Sequence, residues 1–284
     1  MGYLHIENLY KDQTILLFKE CYAMEKIHGT STHLTWNSKN KTLKFFSGGE
    51  DYLDFLKLFN IDFLINKFST LFMYSDVVIY GEAYGSNQQG MSKTYGDILK
   101  FVAFDVCINN MWLEVPKADN VCSKLELEFT YYSRISTDIV SLNAERDKPS
   151  VQAKINGIRE DKIREGIILR PIIEFVMKNG GRVIAKHKRD EFKETKTPRE
   201  VNTDTFQIME DANSIAEEWV TDMRLKHILD KLPKNIDIRS TKIVIEAMVE
   251  DVYREGKGEI IESREVSKSI GSLTAKLFKS VVDN

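Results

Sequence analysis

The sequence predicts an α+β protein: a larger N-terminal domain built on antiparallel sheets, followed by a small all-helical C-terminal domain. Three observations carry that prediction. Strand-like runs are numerous in the first two-thirds of the chain, and they mix with helical spacing without the regular alternation that builds a parallel sheet. After Thr195, Lys196, Thr197 and Pro198 the composition changes and no convincing strand pattern remains. The 284 residues are enough for one large domain and one small one. Domains over 1–198 and 199–284 follow, with the junction near 198–204.

Residues 14–26 predict one or two short strands that end at Lys26. The runs 33–37 and 42–47 predict a hairpin, with the polar stretch 37–41 as its turn. Over 50–73, Tyr52, Leu53, Phe55, Leu56, Leu58, Phe59, Phe63, Leu64 and Phe68 recur at helical spacing. These aromatic residues are core candidates rather than a stacking platform. Residues 76–82 and 101–107 are β-rich. Residues 137–166 are helical in part, with a break at Pro149, and 166–170 and 182–188 are again strand-like. In the tail, 205–231, 240–255 and 263–282 show helical apolar spacing. Ser240 and Thr241 are candidate caps for the second of these helices, and Gly256 would end it.

Composition narrows the function classes. Hydrophobic residues make up 42% of the chain, enough for a packed core without metals or disulfides. No apolar run approaches the ~20 residues that span a bilayer. The first residues lack a basic, then apolar, leader pattern, so no secretory signal is expected. Ser or Thr is missing at position 6, which argues against myristoylation. Cys21, Cys107 and Cys122 are scattered and show no metal-ligand spacing, which points to buried thiols in a reducing cytoplasm. The net charge of −3 argues against broad electrostatic binding of nucleic acid. A local basic groove remains open, because Lys178, Arg182, Lys186, Lys188, Arg189, Lys193, Lys196 and Arg199 crowd into one stretch.

Five short motifs carry the chemistry. Lys26 stands at a predicted strand end in Glu25-Lys26-Ile27-His28-Gly29-Thr30. It is followed by Gly81-Glu82-Ala83-Tyr84-Gly85, by Phe104-Asp105, by Glu165-Gly166-Ile167-Ile168-Leu169-Arg170, and by Lys186-His187-Lys188. A lysine ammonium is no nucleophile until it loses a proton, and cations close by favour that loss. Lys186 and Lys188 alternate on one strand, so both point to one face. If that face meets Lys26, they would assist the nucleophile and hold phosphates. Glu82 and Glu165 close β-runs and would suit a ribose or a metal, since Mg²⁺ accepts a few carboxylates completed by water and phosphate oxygens. Phosphoryl transfer needs mainly positioning and charge neutralisation, and this set supplies both. Phe104 would stack on a purine. His5, His33, His187 and His227 make no metal cluster.

In order and spacing these motifs resemble the covalent nucleotidyltransferases, and His28 resembles the RNA ligase 2 family within them. The resemblance covers most of residues 20–190. It implies a nucleotidyltransferase domain of ATP-grasp-like ligase fold, an ATP-dependent RNA ligase activity, and Mg²⁺ or Mn²⁺ as cofactor. It also implies RNA ends, a 5′-phosphate and a 3′-hydroxyl, as substrates. The small size and the lack of a targeting pattern suggest a phage or bacterial protein of the cytoplasm, and a monomer is expected. By the same resemblance Lys26 takes AMP, Glu25 lies beside the adenine, and His28 and Gly29 complete the first motif. Glu82 contacts the ribose, Phe104 and Asp105 form the aromatic–acidic pair, Glu165 is the metal-linked carboxylate, and Lys186 and Lys188 bind phosphate. The stretch from Gly85 to Gly96 looks like the loop that follows the third motif. The tail resembles the small C-terminal domain, with Arg224 and Asp251 as candidates for the later steps.

The chain departs from the pattern in two places. Ser31 stands where Asn usually follows His-Gly-Thr. No Arg appears around Phe46, Ser47, Gly48 and Gly49, where a basic residue is expected, so Lys44 or the backbone N–H groups there would have to serve. Other readings stay open on this evidence: a DNA ligase, a GTP-using capping-type enzyme, or a catalytically inactive protein that binds RNA ends. His28 favours the RNA ligase, because the first two families usually carry Asp there.

Overall fold

The computed structural model describes residues 2–177, 180–192, 212–233 and 236–282. The expected junction at 198–204, the first part of the 205–231 helical run, and Lys178, Lys193, Lys196 and Arg199 lie outside those residues. The chain divides into two compact units, one of Met1–Asn8 and Asp12–Arg189, the other of Leu9–Lys11 and Asp190–Asn284.

The first unit runs β1 (Glu20–Lys26), β2 (Thr30–Asn37), β3 (Thr42–Phe46), α1 (Tyr52–Leu56), α2 (Ile61–Leu71) and β4 (Val77–Tyr84). It continues through α3 (Ser92–Tyr95), β5 (Lys100–Ile108), β6 (Met111–Trp112), α4 (Val115–Lys124) and β7 (Tyr132–Ser136). It ends with α5 (Ile139–Arg146), α6 (Val151–Ile155), β8 (Gly166–Pro171) and β9 (Ala185–Lys188). One sheet has the order β7-β1-β8-β9 and the other β3-β2-β4-β5-β6, and every pairing is antiparallel. The α+β expectation with antiparallel sheets holds.

Alternation sorts each strand of the five-stranded sheet into two faces. Leu34 and Trp36 of β2 and Val77 and Ile79 of β4 join Phe55, Leu64, Phe68, Ala118 and Cys122 of the helices in one core. Each buried Leu, Val or Phe there contributes about 1.5–3 kcal/mol. The opposite face carries Ser31, His33, Tyr80 and Glu82, which are cross-strand partners (Ser31 with Glu82, His33 with Tyr80).

Three expectations change in detail. The single helical stretch over 50–73 is two helices, because the Asn60 side chain accepts from Phe63 N–H and starts α2 afresh. Residues 14–17 form a 3-10 turn rather than a strand, so β1 starts only at Glu20. The described part of the 205–231 run is also two helices, with Thr221 capping the second through Arg224 N–H.

In the second unit, α7 (Ala212–Trp219), α8 (Asp222–Lys231), α9 (Thr241–Glu255) and α10 (Arg264–Val282) enclose Ile215, Trp219, Ile228, Val244, Met248, Ile270 and Phe278. Gly256 ends α9 as expected, whereas the Ser240 side chain makes no cap. Lys11 belongs to this unit and lies 5.5 Å over the Trp219 ring. Among the described residues, no helix is long and apolar enough to cross a membrane.

Candidate active site

Lys26 is the last residue of β1 and faces Gly166 of β8 in register. Its Nζ lies 2.8 Å from Glu165 Oε2. Glu165 stands just before β8 and so opens that strand rather than closing one. Antiparallel pairing of β8 with β9 puts Gly166 opposite Lys188, whose Nζ is 3.0 Å from the other Glu165 oxygen. His28 completes the group, with Nδ1 3.0 Å from Glu165 Oε2. Glu165 is 1% exposed and therefore depends on these partners, the two lysines above all. Burial alone would raise its carboxyl, but Lys26, Lys188 and His28 hold it well below the usual carboxylate range.

The turn between β1 and β2 admits only glycine at position 29. A Cβ there would lie 2.2 Å from the Ala83 carbonyl oxygen. The close approach lets Gly29 N–H donate to Glu82 Oε1 at 3.1 Å, which draws β4 against the turn. Burial pushes the Glu82 carboxyl up to about 8, with Lys26 opposing and Glu165 adding to the shift. The loop after β4 returns through α3 and buries Tyr95, whose hydroxyl accepts from His28 N–H at 3.3 Å. Sequence reasoning singled out that loop but not Tyr95.

Lys186 lies two residues before Lys188 on β9, opposite Ile168, so alternation gives the two lysines one face. Its N–H donates to the Glu7 carbonyl at 2.9 Å, which fixes the strand edge. Lys44 is exposed on β3 opposite Thr35. Phe104 is half-buried and meets the Tyr3 ring edge-on, with centroids 4.9 Å apart.

Other candidates are placed differently. Glu25 precedes Lys26 on the strand and so points to the opposite face. Its oxygens accept from Ser150 Oγ at 2.5 Å and from Val151 N–H at 2.8 Å. These bonds make the side chain an anchor between β1 and the start of α6. Burial raises this carboxyl, against the lowering effect of Ser150, Arg164 and the backbone N–H groups.

Asp105 is also engaged elsewhere. A register shift between β4 and β5 leaves Phe104 as an extra residue and turns Asp105 toward the inner face, opposite Tyr80. There Asp105 accepts from Arg170 at 2.9 Å, from Arg182 at 2.6 Å and from the Tyr3 hydroxyl at 2.7 Å. Glu174 holds both arginines from the other side, each at 2.6 Å. Arg182 also lies 4.1 Å from the Trp112 ring centre. Sequence reasoning missed the role of Arg170, although alternation from Gly166 predicts its face. Arg224 and Asp251 form a buried ion pair with each other inside the helical unit, and Arg224 Nε also donates to the Trp219 carbonyl at 3.0 Å.

Glu82 and Glu165 are the residues that would hold a divalent ion. The Glu165 carboxylate lies close enough to raise the Glu82 carboxyl, and two carboxyls so placed fit an ion that shares them with phosphate oxygens. Among the described residues no group of three or more His, Cys, Asp or Glu gathers, so substrate and water oxygens would complete the shell.

A lysine between two antiparallel sheets, ion-paired to a buried carboxylate and flanked by further cations, places the fold in the class of nucleotidyltransferase-type ligases. Solved structures agree on the fold: Naegleria gruberi RNA ligase, in a variant with ATP and Mn, matches at a TM-score of 0.51 and 14% identity over 68% of this chain and 57% of that one. The same ligase with PPi matches equally, with a TM-score of 0.51, 14% identity and the same 68% and 57% coverage. The chain thus spans 57% of the length of the solved protein it matches. No curated protein matches in sequence. Residues 19–188 match the family described as RNA ligase, and the chain belongs to that family.

Proposed function

We propose that this protein is an ATP-dependent RNA ligase that joins a 3′-hydroxyl to a 5′-phosphate through a lysyl-AMP. The observation that carries the reading is Lys26, held by Glu165 in a pocket of charge that also contains Lys188 and His28. Membership of the RNA ligase family supports it, as does the likeness in fold to a ligase solved with ATP and Mn.

In the first step the Lys26 nitrogen forms a bond to the α-phosphorus of ATP, the bond to the β-phosphate breaks, and pyrophosphate leaves. Glu165 is placed to orient the amine, and the proton the amine gives up passes to solvent on the open side of Lys26. Lys188 and Lys186 neutralise phosphate charge. Phe104 would stack on the purine, and Glu82 would contact the ribose. Mg²⁺ or Mn²⁺ held at Glu82 and Glu165 would supply further neutralisation of phosphate oxygens. The AMP then passes to the RNA 5′-phosphate. Attack by the 3′-hydroxyl forms the phosphodiester and releases AMP.

Asp105 and Glu25 act in this reading by positioning, the first through Arg170 and the second through Ser150. Lys44 serves a phosphate, and Arg224 and Asp251 shape the helical domain of residues 199–284 for the later steps. Buried, unpaired Cys21, Cys107 and Cys122 support a monomer working in the reducing cytoplasm of a bacterium or of a phage host.

The test is incubation with α-labelled ATP and Mg²⁺, wild type beside Lys26→Ala, followed by denaturation. Label on the wild type alone is expected. No label on either, with both proteins folded, would leave only a protein that binds RNA ends. Labelled GTP in place of ATP, and nicked DNA in place of RNA, separate capping-type and DNA-joining activities from this one.

A further inference from the structure

Where a basic residue is expected after the β2–β3 hairpin, this chain carries Phe46, and the structure gives that ring a defined setting. Phe46 pairs across strands with His33, and the rings stack with centroids 4.8 Å apart and planes 22° from parallel. His33 in turn pairs with Tyr80 of β4, with centroids 5.6 Å apart. The three rings form a row across β3, β2 and β4. His33 is 9% exposed and Tyr80 7%, while Phe46 at the end of the row keeps 48% of its surface open. A half-open ring resting on a buried one is a firm platform that lacks its own cover.

This row lies on the inner face, the face that carries Glu82. Ser31 is opposite Glu82, and His33 is two residues further along β2. Two residues of strand span about 6.6 Å, and the two strand steps from β4 through β2 to β3 add about 9.6 Å across. Phe46 therefore stands one to two nucleotides away from Glu82 and the Lys26 turn. Lys44 points from the same face of β3 and is exposed, so a cation accompanies the open ring. An aromatic face with a neighbouring cation is the chemistry that receives an unpaired nucleobase and its phosphate, because every base has a stacking face.

We infer that Phe46, supported by His33, is a stacking subsite for a nucleobase of the RNA end, one or two nucleotides from the reacting phosphate. The inference rests on the RNA ligase reading and deepens it: stacking takes the place of a charged contact at this point of the groove. The subsite belongs to the RNA and not to ATP.

The test uses the full chain, with Phe46→Ala and Phe46→Trp beside wild type. Transfer of label from ATP to Lys26 reports on the enzyme reading and on folding, and all three proteins should label alike at the same ATP concentration. Binding of an oligoribonucleotide with a 5′-phosphate and a 3′-hydroxyl is then read by fluorescence anisotropy. An abasic nucleotide is placed in turn at the first two positions of each end. Phe46→Ala should bind the intact RNA about tenfold more weakly, and Phe46→Trp should bind as well as wild type. At one abasic position wild type should lose a similar factor while Phe46→Ala loses nothing more. Wild-type affinity in Phe46→Ala, or equal abasic losses in both proteins at every position, would overturn the subsite. A higher ATP requirement for labelling in Phe46→Ala would assign the ring to the nucleotide and overturn it as well. Absence of label in wild type would count against the ligase reading alone, since the binding arm reads out independently.

Discussion

The same two sheets hold two clusters of buried charge, and the clusters are built in opposite ways. In one, Asp105 and Glu174 face Arg170 and Arg182, and the hydroxyl of Tyr3 closes the group. Anions and cations balance. Asp105, Arg170 and Arg182 are buried, and the arginine fork matches carboxylate geometry. Burial would raise the Glu174 carboxyl, yet the two arginines hold it below its ordinary range. In the other, Lys26, Lys188 and His28 converge on Glu165, and Glu82 beside them keeps a proton to about pH 8. Cations exceed ionised carboxylates. The Lys26 side chain is 24% exposed, so the surplus faces outward. A balanced, closed cluster joins sheets, whereas an unbalanced, open one awaits an anion.

The comparison breaks first at Lys26. Lys26→Ala should abolish covalent label and leave the unfolding midpoint near that of wild type. A variant that still labelled would remove the lysine from the chemistry. Glu165→Gln should lower the rate of labelling by about 10²–10³, because the amine and Lys188 lose the group that sets their geometry. Labelling at the wild-type rate would mean that Glu165 only holds the strands. Asp105→Asn should do the reverse. It leaves two buried guanidiniums short of an anion and should cost about 3–5 kcal/mol in urea unfolding. The folded fraction should label normally, and a loss of labelling without loss of stability would bring Asp105 into the site.

Ser150→Ala is a smaller perturbation. It removes the cap on α6 and one contact to Glu25, for about 1 kcal/mol of stability. Dependence on pH offers a further test. A folded-state carboxyl raised to about 8 favours the protonated protein, so Glu82 contributes stability that is whole below its unfolded value and is lost as pH rises toward 8. Without divalent metal, Glu82→Gln should remove that part of the decline in unfolding midpoint between pH 5 and 8. Identical slopes in the two proteins would show that Glu82 ionises normally.

These contrasts also show what the sequence makes legible. The strand ending at Lys26, the β2–β3 hairpin and the lysines of β9 follow from local alternation and spacing. The class of the fold and the motif order were legible for that reason. Asp105 falls with the nucleotide-binding residues by resemblance because it follows Phe104, but its partners lie 65 and 77 positions away. Glu25 was read with Lys26 as a neighbour in sequence, and alternation sends the two side chains apart. Its partner Ser150 is 125 positions distant, and no local pattern connects them. Tyr95 reaches His28 across 67 positions through a loop whose sequence looks only polar. Contacts made by tertiary packing leave no period in the chain.

The extra residue in β5 has a consequence of its own. Before it, Phe101 and Ala103 face the helix-packed core; after it, Val106 does. The strand thus changes reading frame at Phe104, with odd positions inward on one side and even positions inward on the other. Substitution at 104 alters one ring. Deletion of that single residue would restore plain alternation: Ala103 and Val106 would keep the core side and Asp105 the side of Arg170 and Arg182. At this position the chain carries one residue more than the ladder needs, and the surplus is an aromatic ring.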